Sequence, residues 1–305
     1  MSIANQNLDD QFLNLRTHHD LYTEIDPAGA LRDTAKGKVV FLAGASQGIG
    51  QSTAVAFAKA GAAAVYITAR PAQALEETKS KVRAANSNTQ CEFNICDVTD
   101  ERLVQATIAD CVKKFDRIDV ADANAGYLDK WTKIGESDPR SWWKTWEVNV
   151  KGTYNVIRHV LPHLANSAKN HSAAGGSGGH LILISSVGAQ LLTPGASDYQ
   201  TSKHAINRLC EFVKVDHGEE GIKCFAVHPG GVPTALGKNM PDEMHGYLID
   251  SPDLAAGFIV WLCSGRADWA SGRFLSSNWD VTELLQYKDR VLQNDLLVNR
   301  LRARS

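Results

Sequence analysis

The chain has 305 residues, 44% of them hydrophobic, enough to bury one large α/β domain with appendages. Lys and Arg number 32 against 34 Asp and Glu, a formal charge of -2, so nothing in the net balance argues for nucleic acid or an anionic membrane as a partner, and neither is expected. Six cysteines (Cys91, Cys96, Cys111, Cys210, Cys224 and Cys263) lie far apart, without metal-ligand or secreted-scaffold spacing, so they read as reduced core thiols and no metal site is expected.

The start, "MSIANQNLDDQFLNLRTHHD", is polar and acidic rather than basic and then apolar. No later stretch stays apolar for about 18 residues, and a cytoplasmic protein without a membrane partner is expected. Residues 1–36 lack strong periodicity and read as an extension that wraps the domain or hangs loose. From "GKVVFLAGA" onward strand and helix patterns alternate: strand "KVVFLAG", helix "GQSTAVAFAKAG", strand "AAVYITAR", helix "PAQALEETKSKVRAAN", strand "CEFNICDV", helix "ERLVQATIADCVKKF", strand "IDVADANAG". That succession predicts an α/β domain, a doubly wound parallel sheet with helices on both faces.

A long helical zone runs through "SWWKTWEVNVKGTYNVIRHVLPHLANSA", followed by the flexible loop "AAGGSGG". Trp142, Trp143 and Trp146 stand at helical spacing and read as core or subunit interface. The strand "HLILISS", the helix "DYQTSKHAINRLCEFVKVDH" and the strand "IKCFAVHPGG" come next. "GRFLSSN" would close the sheet, and Asp280 with Glu283 forms a capping box for one terminal helix over "VTELLQYKDRVLQNDLLVNRLRA". Its residues Leu284, Leu285, Val291, Leu292, Leu296 and Leu297 would bury one face. The domain is therefore expected over 37–278, flanked by extensions at 1–36 and 279–305.

"AGASQGIG" sets Gly44, Gly48 and Gly50 between the first strand and first helix. There backbone N–H groups and the helix dipole hold a pyrophosphate, and glycine admits unusual backbone angles and close phosphate approach. At the end of the second strand stand Ala69 and Arg70 in place of an acidic residue. An arginine there pairs with a 2′-phosphate, and the missing carboxylate removes repulsion against it, so NADP(H) is expected over NAD(H).

In "SSVGAQLLTPGASDYQTSK", Tyr199 and Lys203 are four residues apart, one turn on one helix face, with Ser186 thirteen residues before the tyrosine. With these motifs the chain resembles the classical short-chain dehydrogenase/reductase family, from about residue 37 to about 278 and in family order. "AGASQGIG" is similar to its glycine motif, "CDV" to its adenine-pocket segment, "NAG" at 124–126 to its central strand-end motif, and "HPGGVPT" at 228–234 to its nicotinamide-side segment. The extensions resemble a fungal subgroup, which implies a place in secondary metabolism. Three positions depart from the pattern: Ala43 replaces a threonine, Gln47 stands where NADP-dependent members often carry a basic residue, and Asp122 stands where a neutral residue is usual.

The resemblance implies a single Rossmann-fold domain and a catalytic tetrad of Asn149, Ser186, Tyr199 and Lys203. It also implies cofactor contacts from Ser46, Gln47, Ile49 and the glycines at the pyrophosphate and from Asp97 and Val98 at adenine. Asn124, Ala125 and Gly126 would lie on the ribose side, Tyr199 and Lys203 at the ribose and nicotinamide, and Pro229, Gly230, Val232 and Thr234 towards the carboxamide. A free tyrosine, with a pKa of about 10, is too weak an acid at neutral pH. A lysine cation one turn away and an oxidised nicotinamide would favour tyrosinate and lower that value. Ser186 would donate to the substrate oxygen, and Asn149 would hold a water that relays protons from Lys203.

Residues 235–250 would form a flap over the substrate, with Met240, Met244 and Tyr247 as adaptable apolar contacts. They suggest a hydrophobic or aromatic ketone or alcohol. His228, just before Pro229, reads as a satisfied, partly buried imidazole. The expected function is NADP(H)-dependent ketone and alcohol interconversion by a homodimer or homotetramer. The alternative is a protein of the same fold that binds the cofactor for a non-redox reaction or as a sensor.

Overall fold

The computed structural model describes residues 12–173 and 177–301. Part of the "AAGGSGG" loop, the first 11 residues of the N-terminal extension and the last four of the tail lie outside the described residues. Apolar runs form seven strands: β1 (Val39–Ala43), β2 (Ala64–Ala69), β3 (Gln90–Ile95), β4 (Val120–Ala123), β5 (His180–Ile184), β6 (Lys223–His228) and β7 (Arg273–Ser276). They make one sheet in the order β3-β2-β1-β4-β5-β6-β7, with every neighbouring pair parallel.

The helices are α1 (Gly48–Lys59), α2 (Ala72–Ala85), α3 (Glu101–Phe115), α4 (Pro139–Trp146), α5 (Thr153–Ala173), α6 (Ser197–His217), α7 (Pro252–Trp261), α8 (Val281–Gln286) and α9 (Lys288–Gln293). Side chains alternate across a strand, so β1 feeds two cores. Val40 and Leu42 pack with Phe57 of α1 and Phe258 and Trp261 of α7. Val39, Phe41 and Ala43 pack with Ile108 of α3, Val160 of α5 and Ile206 of α6. Both faces of the central strands are thus covered, which explains their largely apolar runs, whereas the edge strand β3 alternates polar and apolar residues and is only partly buried. This is the Rossmann-type doubly wound sheet that the sequence predicts. All six cysteines are buried and unpaired.

Residues 12–36 lie against the domain as a strap. Leu15, Ile25 and Leu31 are buried, and Thr17 makes an antiparallel bridge with Trp279. The strap crosses α7 at Gly257, where a Cβ would stand only 2.5 Å from the Ile25 carbonyl oxygen.

One expectation needs correction, and a second is narrowed. The single terminal helix is broken: α8 and α9 end by Gln293, and Asp295 and Leu297 have φ of 46° and 63°, left-handed values that stop a helix. Asp280 does cap α8 through the N–H groups of Thr282 and Glu283. Glu283, however, accepts from the Arg16 N–H of the strap rather than reaching back to Asp280. Of the predicted apolar face, Leu284 and Val291 are buried, while Leu285 and Leu292 are exposed. The tryptophans, read as core or subunit interface, fall outside the core: half-buried Trp142 and Trp146 stack at 5.8 Å with Trp143 exposed at their edge.

Asp122 of β4 is fully buried, and both carboxylate oxygens lack a partner among the described residues. Burial pushes its pKa up to about 8. The unfolded chain ionises near 4, so between about pH 4 and 8 the folded state holds the extra proton and stability falls as pH rises, by about 1.4 kcal/mol per pH unit. Asp122→Asn removes the ionisation and is expected to flatten this slope. Denaturant titrations at pH 5, 6, 7 and 8 measure it, and an unchanged slope in the variant would refute the assignment.

Candidate active site

The site forms where β1 and β4 part, because their following segments run to opposite faces of the sheet. The turn after β1 needs glycine twice. Gly44 has φ of 94° and a Cβ there would lie 2.6 Å from the Ala125 nitrogen, while a Cβ on Gly50 would lie 2.2 Å from the Gly44 carbonyl oxygen. Asn124 Nδ2 donates to that same oxygen at 2.5 Å, locking the turn to the end of β4. The result is a close-packed cradle at the N-terminus of α1, whose first amides have no intrahelical acceptor. A pyrophosphate fits this donor set and its positive dipole end.

The Arg70 side chain is exposed at the end of β2 and borders the same cavity. Burial raises the Asp97 carboxyl, but the Thr99 N–H and hydroxyl, with Arg70 beside it, outweigh that and hold it below the usual range. Thr99 makes these bonds to Oδ1 at 2.9 and 2.8 Å.

At the N-terminal end of α6, Tyr199 and Lys203 project together, with Lys203 Nζ 5.7 Å from the Tyr199 ring centroid. Lys203 Nζ donates to the Ile184 carbonyl at 2.7 Å. Burial lowers its pKa to about 8. Burial also raises Tyr199, and the hydrogen bond with Ser186 only partly offsets this. The protein's own groups therefore keep Tyr199 protonated rather than lowering its pKa, because desolvation outweighs the neighbouring Ser186 hydroxyl. Ser186 Oγ also accepts from the Gly188 N–H at 3.0 Å.

Asn149 sits in a π turn, Glu147–Gly152, between α4 and α5. Its Oδ1 accepts from the Tyr127 N–H at 2.8 Å. Its Nδ2 donates to the Tyr127 carbonyl at 2.9 Å and to Ser202 Oγ at 3.0 Å. The amide thus pins the segment after β4 to α6. The π turn was absent from the sequence reading because an inserted residue leaves the helical pattern almost unchanged.

One cavity of about 760 Å³ gathers nearly all the anticipated residues. Gly44, Ser46, Gln47, Gly48 and Ile49 line it with Arg70, Asp97 and Val98, and Asn124, Ala125 and Gly126 lie between. Ser186, Tyr199 and Lys203 share it with Pro229, Gly230, Val232 and Thr234. Gly50 and Asn149 stand behind the wall rather than on it. Met240, Met244 and Tyr247 of the flap face it, joined by Leu128 and Leu191.

The sequence reading missed further wall residues: Phe12, Thr17 and His19 of the strap, Asp250 at the flap's base, and Ser276, Asn278 and Trp279 after β7. Only the capping pair and the "THHD" cluster hinted at them. His228 also differs from expectation. It borders the cavity, yet its Nδ1 is shut from water without a partner. Burial lowers its pKa to about 4 despite the opposing pull of Asp250.

A parallel seven-stranded sheet with this cradle and this Ser, Tyr and Lys grouping defines a nucleotide-dependent oxidoreductase architecture. The profile of the short chain dehydrogenases matches residues 38–245, and the chain belongs to that family. It is 41% identical to the short chain dehydrogenase mpl6 of Monascus purpureus over 285 residues, covering 92% of this chain and 94% of that one. It is 35% identical to the short chain dehydrogenase pigC of Monascus ruber, covering 92% and 90%. Among solved structures, the fold is similar to a 3-ketoacyl-(acyl-carrier-protein) reductase from Brucella melitensis complexed with NADH. The TM-score is 0.70 at 24% identity, covering 79% of this chain and 97% of that one. Family membership makes the protein an oxidoreductase, of the nicotinamide-binding kind. Among the described residues no helix is long and apolar enough to cross a membrane.

Asn149→Ala would leave the Tyr127 N–H and carbonyl without their side-chain partner and take one donor from Ser202 Oγ, which still donates to the Tyr199 carbonyl. A loss of about 2–4 kcal/mol in unfolding free energy is expected, at about 1–3 kcal/mol per unmet buried group with partial relaxation. Chemical denaturation measures it, and a change below 0.5 kcal/mol would contradict the pinning role.

Proposed function

We propose that the protein is an NADP(H)-dependent oxidoreductase that interconverts a ketone and a secondary alcohol, with Tyr199 as the general acid and base. The observation that carries this reading is the pairing of a protonated Tyr199, hydrogen-bonded to Ser186, with Lys203 in a cavity that Leu128, Leu191, Met240 and Met244 also line. When bound, the nicotinamide supplies or takes up the hydride. Tyr199 gives its proton to the carbonyl oxygen in reduction and takes it back from the alcohol in oxidation. Lys203, ionised below about pH 8, stabilises the tyrosinate that remains. Ser186 positions the substrate oxygen and offsets the charge that develops on it.

Asn149 holds the proton-relay water in this scheme. Its side-chain amide is committed to Tyr127 and Ser202, which leaves a second Oδ1 lone pair and the main-chain carbonyl of the π turn for that task. The glycine cradle with Ser46, Gln47 and Ile49 holds the pyrophosphate, Asp97 and Val98 the adenine, and Asn124 to Gly126 the ribose side. Pro229, Gly230, Val232 and Thr234 serve the carboxamide. Arg70, exposed and beside Asp97, is the partner for a 2′-phosphate.

The substrate is a hydrophobic or aromatic small molecule, because Leu128, Leu191, Met240, Met244 and Tyr247 line the same cavity as Tyr199. The exposed Tyr154 of α5 and Phe212 and Val215 of α6 support a homodimer or homotetramer built on those helices. Residues 37–278 act as the catalytic domain, with 1–36 and 279–305 as appendages, and we place the protein in the cytoplasm.

Arg70→Asp is expected to weaken NADPH binding by 10- to 100-fold, the range for loss of a charge-assisted contact, while NADH binding changes little. Energy transfer from the tryptophans to the bound reduced cofactor reads both, and equal losses would refute the 2′-phosphate role. Tyr199→Phe is expected to cut ketone reduction by at least a thousandfold while NADPH affinity stays within a few-fold. Retained turnover would overturn the proton-transfer role and bring forward a non-redox or sensing function.

A further inference from the structure

One end of the cavity differs in chemistry from the apolar residues that line it with Tyr199. It is bordered by His228 at the end of β6, Ser276 and Asn278 after β7, Thr17 and His19 of the strap, and Asp250 at the flap's base. His228 and Ser276 are direct neighbours in the β6–β7 register, so they share a face. Most of the polar groups here are already spent. Asp250 Oδ2 accepts from the Gly231 N–H at 2.5 Å and its Oδ1 binds His19 Nδ1 at 2.6 Å. Ser276 and Asn278 bond to one another, and Asn278 Nδ2 donates to the His18 carbonyl.

Among these six, His228 is partly buried and has no side-chain bond to a described residue. Its Nδ1 is sealed from water without a partner, and no described residue bonds its Nε2. An imidazole kept neutral by burial offers one donor and one acceptor. Nδ1 is shut from a ligand as it is from water, so Nε2, which is not shut from the cavity, is the nitrogen that a ligand oxygen can meet. The same neutrality, with the Asp250 carboxylate nearby, disfavours an anionic ligand group and favours a neutral oxygen.

We propose that this end of the cavity is a specificity subsite for a neutral oxygen-bearing group, a hydroxyl above all, carried by the substrate at a distance from its reacting carbonyl. His228 is the residue that hydrogen-bonds it. The strap completes the subsite: Thr17 and His19 close it on one side, and the His19 link to Asp250 holds the flap's base against it. The inference rests on the reductase reading only for which end of the substrate reacts. The substrate class follows as an elongated, largely apolar ketone with a polar far end.

The test uses the full chain saturated with NADP⁺ and two ketone series, alkan-2-ones and their ω-hydroxy analogues of six, eight and ten carbons. Calorimetric titration is expected to give a Kd about tenfold tighter for the hydroxy compound at one chain length. His228→Leu should erase that gain while leaving the plain alkanone within twofold, and His228→Gln should restore part of it. Circular dichroism identifies a variant that fails to fold, in which case the glutamine variant alone decides. Absence of any hydroxyl gain, or a gain that survives both substitutions, overturns the subsite. Weaker NADP⁺ binding in His228→Leu with the hydroxyl preference intact also overturns it and makes His228 a cofactor contact. NADPH oxidation by octan-2-one is read separately. No turnover with an intact hydroxyl preference would sink the reductase reading and leave the subsite standing.

Discussion

The contact between Gly44 and Ala125 is the constraint on which the rest of the site depends. The β1 and β4 chains leave the sheet there in opposite directions, and the two backbones touch at a distance that admits no side chain on Gly44. Ala125 N–H donates to the Ala43 carbonyl at 2.7 Å and Asn124 clamps the Gly44 carbonyl. This closure fixes the cradle at the N-terminus of α1 relative to Gly126. A Cβ on Gly126 would in turn stand 3.7 Å from Asn149 Oδ1 and 3.8 Å from Lys203 Nζ. The phosphate-binding end and the proton-transfer end are thus connected through three consecutive residues, 124–126. A shift at one end of that bridge is a shift at both.

Two buried carboxylates on β4 and just before it show how differently the fold treats charge. Asp119 is fully buried and surrounded by donors: the Val39 N–H, the Arg117 guanidinium, Ser167 Oγ and the His171 ring. It binds together the starts of β1, β4 and α5's far end. Asp122, three residues on, has none of these and is kept neutral by desolvation. A paired buried carboxylate organises its surroundings, whereas an unpaired one is tolerated only by protonation. The tail's charges, by contrast, sit at the surface, where Arg300 meets Glu211 and Asp295 at about half exposure, and such pairs contribute little to stability.

The sheet was legible because strands covered on both faces must be apolar throughout, and the segments between them carry helical periodicity. Tyr199 and Lys203 were legible for a local reason: four residues on a helix share a face whatever packs above them. What escaped had non-local causes. The terminal helix looked continuous by its leucines, yet Asp295 and Leu297 turn left-handed where the chain crosses to β7 and the Leu297 carbonyl accepts from the Phe274 N–H. Tertiary hydrogen bonding there overrides propensity. The tryptophans kept their helical spacing on a short helix where Trp142 and Trp146 are half-buried and Trp143 is exposed, since spacing alone does not choose between core and interface. His228 was read as satisfied because strand-end imidazoles usually find a partner. Its lack of one follows from which residues β7 and the strap bring beside it.

The strap itself explains why the cavity reaches beyond the doubly wound core. Within residues 37–278 the sheet supplies a floor and the flap a cover, but the edge past β7 would lie open. Consecutive histidines close it by binding two different elements. His18 Nε2 reaches Asp280 Oδ2 at 2.9 Å, the same carboxylate that caps α8, while its ring stacks on Tyr22 at 3.7 Å. His19 reaches Asp250, and its carbonyl accepts from the Ser251 N–H at 2.8 Å, at the start of α7. Tyr22 completes the seam, donating to the Trp279 carbonyl and accepting from the Val281 N–H. Residues 16–22, without periodicity in sequence, thus take their conformation largely from partners more than 200 residues away, whereas residues 26–36 are held by local turns and by Ala60 and Ala62. The order of that first stretch is a tertiary property, and the wall it adds to the cavity belongs to the assembled fold rather than to any local pattern.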